Sequence, residues 1–190
     1  MKLCASAGAA VAARPATLAA STQTLTPARR ARLVDAGGQP LRPDQLEVGR
    51  SYVFHYPYVA TPCFLIDLGR PVNGQEKLET EDGKAYRWQG GVGPNKSIVA
   101  FSAICAHRMT YPTPKVSFIK YHHDKPASTS TGWNSRTQEG VIHCCSEGSV
   151  YDPAAGAKVL AGPARQPLAA VDLSFDEAEG LTAAGTYGGD

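Results

Sequence analysis

Apolar residues along this chain fall in short, strand-length runs separated by glycine, proline and polar turns. Tyr52-Val53-Phe54-His55-Tyr56 is β-branched and aromatic and stops at Pro57, a residue that cannot donate to a ladder. Cys63-Phe64-Leu65-Ile66-Asp67-Leu68 repeats the pattern and closes on Gly69-Arg70-Pro71. Ser97-Ile98-Val99-Ala100-Phe101-Ser102-Ala103-Ile104 is the strongest strand signal. Gly140 to His143, Ser149 to Tyr151 and Leu168 to Leu173 predict shorter strands, and the polar turn 42–49 leads into the first. Segment 73–95, rich in glycine and charge, predicts a loop or hairpin; 111–140, rich in Pro, Ser, Thr and Gly, predicts an inserted loop. No stretch sustains a 3.6-residue apolar period long enough to anchor a helical core. The expectation is an all-β protein, a sandwich or barrel of short antiparallel strands.

Length and composition narrow the field. A chain of 190 residues, 43% hydrophobic and 19% charged, suits one domain with tails, here 31–190, whose core needs no disulfide staples. With 19 Lys+Arg against 17 Asp+Glu there is no basic surplus of the kind that tracks nucleic-acid phosphates. No run of 18 apolar residues predicts a transmembrane helix. Residues 1–30 stand apart: Lys2, an Ala- and Gly-rich tract from Leu3 to Ala13, then Arg14 and small residues. A basic start, a mildly apolar stretch and small residues predict an export signal. The mild hydrophobicity is that of twin-arginine signals, although no Arg-Arg pair precedes the tract. A disordered Ala-rich tail is the alternative. Export implies a periplasmic protein, attached to a membrane only through this segment if it is retained.

Metal-capable side chains concentrate in two places. Cys105-Ala106-His107 follows the strongest strand, and His143-Cys144-Cys145-Ser146-Glu147-Gly148-Ser149 follows another. A thiolate and an imidazole two residues apart at a strand end converge readily on one centre, and a second such loop completes four-coordination. Soft thiolates with imidazole or carboxylate suit zinc or an iron–sulfur site.

These two segments resemble the ligand boxes of the Rieske family, Cys-x-His and Cys-x-x-His-Gly-Ser-x-[Tyr/Phe]-Asp. Cys105 and His107 match the first box; Cys144, Gly148, Ser149, Tyr151 and Asp152 match the second. The resemblance implies a Rieske-like antiparallel β fold with a small two-loop subdomain holding a [2Fe–2S] cluster. Cys105 and Cys144 would hold one iron and His107 the other, with Ser149 and Tyr151 donating hydrogen bonds to cluster sulfurs. Within the family the chain is similar to the small subunit of arsenite oxidase. Tyr56-Pro57, Thr61-Pro62-Cys63-Phe64-Leu65-Ile66, Gly91-Val92-Gly93-Pro94, Ile98 to Cys105 and Gly162-Pro163-Ala164 carry that likeness. It implies a non-catalytic electron-transfer subunit, working between a larger, molybdopterin-containing oxidoreductase subunit and a carrier such as a c-type cytochrome.

Three departures bear on the cluster. Glu147 stands where the second ligand histidine belongs. Thr110 and Ser146 occupy the positions of the family's bridging disulfide, and 36 residues separate His107 from Cys144. A carboxylate ligand adds negative charge and lowers the potential of a cluster. Glu147 leads as fourth ligand; His122 or His123 from the inserted loop, or His143 or Cys145 through a shifted register, are the alternatives. A fold without a cluster, serving as a binding module in a larger complex, is the second reading. In it Cys105 would pair with Cys144 or Cys145 as a disulfide. A mononuclear zinc site of Cys105, His107, Cys144 and Glu147 is the third. Cys63, inside an apolar strand, is expected to be a buried small hydrophobe, and His55 a sheet residue. Trp88 and Trp133 are expected in loops, and the sequence does not show that either meets a partner.

Overall fold

The computed structural model describes residues 25–35, 37–74, 76–106, 118–124 and 139–188. Among them are twelve strands and two short 3-10 turns, Pro43–Gln45 and Pro153–Ala155. The expected strands are all present: β2 (Ser51–His55), β3 (Pro62–Asp67), β6 (Ile98–Ser102), β8 (Val141–Cys144), β9 (Ser149–Asp152) and β11 (Ala170–Asp176). Segment 73–95 forms a hairpin of β4 (Lys77–Glu79) and β5 (Ala85–Arg87). Four further strands lie where the apolar pattern is weak: β1 (Thr26–Arg32), β7 (Ile119–His122), β10 (Lys158–Ala161) and β12 (Gly180–Tyr187). β1 starts within the segment set apart as 1–30, and β7 lies within the stretch 111–140 expected as an inserted loop.

The largest sheet has the order β1-β12-β11-β6-β3-β2, with antiparallel neighbours throughout. Both of its faces are buried, which explains the unbroken apolar runs at its centre. Phe64 and Ile66 of β3, with Val99 and Phe101 of β6, enter one core. Their alternates Cys63 and Leu65, with Ile98 and Ala100, enter a second core on the other face, among Leu33, Phe54, Leu181 and Ala183. A strand with only one buried face would alternate apolar and polar residues instead.

The first core joins the large sheet to the other two. Leu78, Tyr86 and Trp88 from around the β4–β5 hairpin meet Ile119, Ile142, Cys144 and Tyr151 from a four-stranded sheet of order β10-β9-β8-β7. Trp88 is 2% exposed, and its ring centroid lies 5.8 Å from that of Phe101. Trp88 stands outside the regular strands, as expected, but its indole turns inward. Gly156 makes room for that indole, since a Cβ there would stand 2.5 Å from Leu78 Cδ1 and 3.2 Å from the Trp88 ring. Cys63 behaves as expected, buried with its thiol donating to the Tyr56 carbonyl at 3.4 Å. His55 is an exposed residue of β2. Trp133, Thr110, His107 and residues 1–24 lie outside the described residues.

Candidate metal centre

Two backbone excursions, one from the six-stranded sheet and one from the four-stranded sheet, bring the site together. The first leaves β6 and turns at once: Ala103 N–H donates to the Pro62 carbonyl at 2.9 Å, and Ile104 N–H to Ser102 Oγ at 3.2 Å. Cys105 follows, completely buried. The second is the turn between β8 and β9. Cys144 ends β8, Gly148 N–H closes the turn onto the Cys144 carbonyl at 2.8 Å, and Gly148 takes the left-handed conformation at φ +75°. Only glycine enters that region without steric cost.

Strand alternation decides which side chains of the second excursion face the first. Ile142 pairs with Tyr151 and Cys144 with Ser149, so Cys144, Ser149 and Tyr151 share the face turned to the core. Each of these three side chains is fully buried. Tyr151 Oη and Cys105 Sγ share a hydrogen bond of 3.5 Å, and the Cys144 thiol is hydrogen-bonded to Cys105. Backbone N–H groups of Glu147 and Ser146 also face the Cys144 sulfur. Ser149 hydrogen-bonds Tyr151, and its Oγ accepts from Ala164 N–H at 3.2 Å.

The electrostatics follow from this crowding. Contact with Cys105, then burial, pushes the Cys144 thiol far up, against the pull of the two backbone N–H groups. Burial, then the bond to Cys105, raises the Tyr151 phenol well above its usual range, so it stays a protonated donor. Two sulfurs in contact in a dry site resist becoming two anions, and a bound cation removes that resistance. All four described cysteines are thiols, with Cys63, Cys105 and Cys144 buried and Cys145 exposed. The disulfide expected for the cluster-free reading is thus not formed.

A third segment, which sequence reasoning noted for its likeness but did not assign to the site, supports the turn. Gly162 lies at φ +91°, so close that a Cβ would stand 2.5 Å from Ser149 Cα and 2.6 Å from the Gly148 carbonyl oxygen. The Gly162-Pro163-Ala164 loop packs backbone against backbone on the turn and holds Ser149 through the Ala164 bond.

Of the other predicted ligands, His107 lies outside the described residues, Glu147 shares the turn with Cys144, and the alternatives His143, His122, His123 and Cys145 are turned elsewhere. Glu147 sits half-buried in the turn, and among the described residues no three His, Cys, Asp or Glu side chains converge as a metal site. His143 follows the opposite face of β8 from Cys144. It is buried there, its Nε2 has no hydrogen-bond partner among the described residues, and desolvation, then His122, lowers its pKa. His122 pairs with Val141, three residues before Cys144, which is about 10 Å along the strand. His123 is turned to other partners, with Nδ1 3.4 Å from Tyr121 Oη and Nε2 3.1 Å from Asp124. It lines a cavity of about 360 Å³ with Arg70, Glu139 and Asp152. Cys145 donates from the surface to the Phe118 carbonyl at 3.1 Å.

The donor set fits the sulfur half of an iron–sulfur centre: two buried thiols in contact, N–H groups at one sulfur and a phenol at the other. Such a centre needs two thiolates and outer hydrogen-bond donors that accept the added charge. No family model matches the sequence. Among solved structures, the chain is similar to the soluble domain of the Rieske protein II (soxF) from Sulfolobus acidocaldarius. That likeness has 25% sequence identity and a TM-score of 0.57, and it covers 84% of this chain and 78% of that one. The chain therefore has a Rieske-like antiparallel β fold, in which the two boxes read from the sequence bring Cys105 and Cys144 together beneath Tyr151.

Proposed function

We propose that this chain is a Rieske-type [2Fe–2S] electron-transfer protein, the small subunit of an exported, arsenite-oxidase-like oxidoreductase. The observation that carries the reading is the buried Cys105–Cys144 pair with Tyr151 and Ser149 arranged around it, on a Rieske-like fold. Cys105 and Cys144 would hold one iron, and His107 with Glu147 the other. When bound, such a cluster supplies one-electron transfer at a potential set by ligand charge and hydrogen bonding.

The chain's own residues do the rest. The first core keeps water from the two sulfurs. Tyr151, held protonated by burial, and the N–H groups of Ser146 and Glu147 offer donors to negative charge in the site. Rigidity comes from Gly162 and Ala164 behind the turn, which limits rearrangement as charge changes. In this reading the chain passes electrons for a larger, molybdopterin-containing partner. The N-terminal tract supports the periplasmic assignment, and fractionation of cells expressing the chain with this tract deleted tests it.

The decisive experiment is purification without oxygen, with iron and acid-labile sulfide analysis and electron paramagnetic resonance after reduction. About two iron and two sulfide per chain with a reduced-cluster signal are expected, and both are lost in Cys105→Ser and Cys144→Ser. A second reading, a cluster-free binding module, draws on Glu147 at the position of a ligand imidazole. Protein free of iron and sulfide would select it. Zinc without sulfide would select a mononuclear site.

A further inference from the structure

On the face of the small sheet opposite the thiol pair, two imidazoles meet across β7 and β8. His122 pairs with Val141 and Lys120 with His143. The histidines are thus diagonal neighbours on one face, a spacing that ring side chains bridge. Their ring centroids lie 6.0 Å apart, with planes inclined at 51°. His143 is 5% exposed, and among the described residues its buried Nε2 has no hydrogen-bond partner, a condition that buried polar atoms seldom keep. His122 is only half-buried.

The two rings stand near the separation that a shared ion would set. With Zn–N bonds of about 2.0–2.1 Å, two rings at a tetrahedral angle place their centroids about 5 Å apart. A small rotamer change in the half-buried His122 covers the difference. Two neutral imidazoles without sulfur suit zinc and its divalent neighbours, whereas the thiol pair on the opposite face suits iron–sulfur chemistry. We propose that His122 and His143 form a second site, independent of the thiol pair, for a divalent transition-metal ion of the zinc class, completed by solvent. The ion satisfies His143 Nε2 and ties β7, the edge strand of its sheet, to β8.

The test is a cobalt(II) titration of the purified full-length chain, followed by absorption spectroscopy, with zinc-dependent melting as a second readout. Wild-type protein should bind cobalt with ligand-field bands and no sulfur-to-cobalt charge transfer, and zinc should raise its melting temperature. His122→Ala, a change at a half-buried edge position, should weaken cobalt binding about tenfold or more. It should also abolish the zinc effect while leaving iron content and metal-free melting unchanged. A charge-transfer band from sulfur, no binding, or an affinity unchanged in His122→Ala overturns the proposal. Iron content separates this outcome from failure of the cluster reading, because the histidine pair lies on the other face of the sheet.

Discussion

Substituting Gly162 by alanine places a methyl group against the backbone that carries Ser149. The added carbon would lie 2.5 Å from Ser149 Cα, 2.6 Å from Gly148 O and 2.7 Å from Ser149 N. All three are main-chain atoms, so no rotamer change relieves the clash, and the turn or the Gly162-Pro163-Ala164 loop must move. The left-handed backbone alone costs a Cβ-bearing residue about 1–2 kcal/mol. Gly38 supplies the control: its φ is +78°, yet nothing lies within 4 Å of a Cβ built there. Gly38→Ala therefore reports the backbone term by itself. Forcing atoms into a packed site adds about 1–3 kcal/mol. Taking about 2 kcal/mol as the difference, Gly162→Ala should melt about 4–8 °C below Gly38→Ala in a chain of this size. Thermal unfolding followed by circular dichroism measures it, and iron bound per chain should fall in Gly162→Ala alone. Equal melting temperatures for the two variants would show that the loop does not brace the turn.

Three further outcomes are expected. Glu147→His should raise the reduction potential and shift the optical spectrum, because in the proposed centre a neutral ring replaces an anionic ligand; if neither moves, Glu147 is no ligand. Asp172 is half-buried, and desolvation raises its carboxyl above the usual 3.8, partly offset by the Tyr187 hydroxyl. The folded state then holds the proton more tightly than the unfolded chain, so stability is lost as pH rises from about 3.9 through the folded value. Asn keeps an acceptor for Tyr187, so Asp172→Asn should exceed wild type in stability at pH 7, with the gap closing below about pH 4; a gap independent of pH contradicts this. A thiol reagent at pH 8 should label Cys145, which is exposed, and spare Cys63, whose thiol burial pushes up to about 12. Mass spectrometry reads the difference, and labelling of Cys63 in the folded chain would place it outside the core.

The sequence alone determined the strand class and singled out the two cysteines that the fold brings into contact. β3 and β6 are legible because both of their faces are buried, so every residue type along them is constrained in the same direction. Cys105 and Cys144 are legible because each stands at or just beyond a strand end, within a short box of unusual composition. Strands β1, β7 and β10 were not, since each lies at a sheet edge, where one side faces solvent and charge or proline is favoured. β1, with Pro27, Arg29, Arg30 and Arg32, is a clear case. β12 escaped through its small residues and glycines, which pack in the interior without an apolar signature.

Only the tertiary structure decided which neighbours of Cys144 share its site. His143 stands beside Cys144 in sequence, yet strand alternation sends it to the opposite face, where it meets His122. Tyr151 is seven residues away and arrives at the cysteines because the turn reverses the chain in register. Gly162 braces the turn through a main-chain contact that no side-chain pattern encodes. Trp88 turned inward for the same reason: burial depends on what folds over a loop, and composition within the loop carries no trace of that cover.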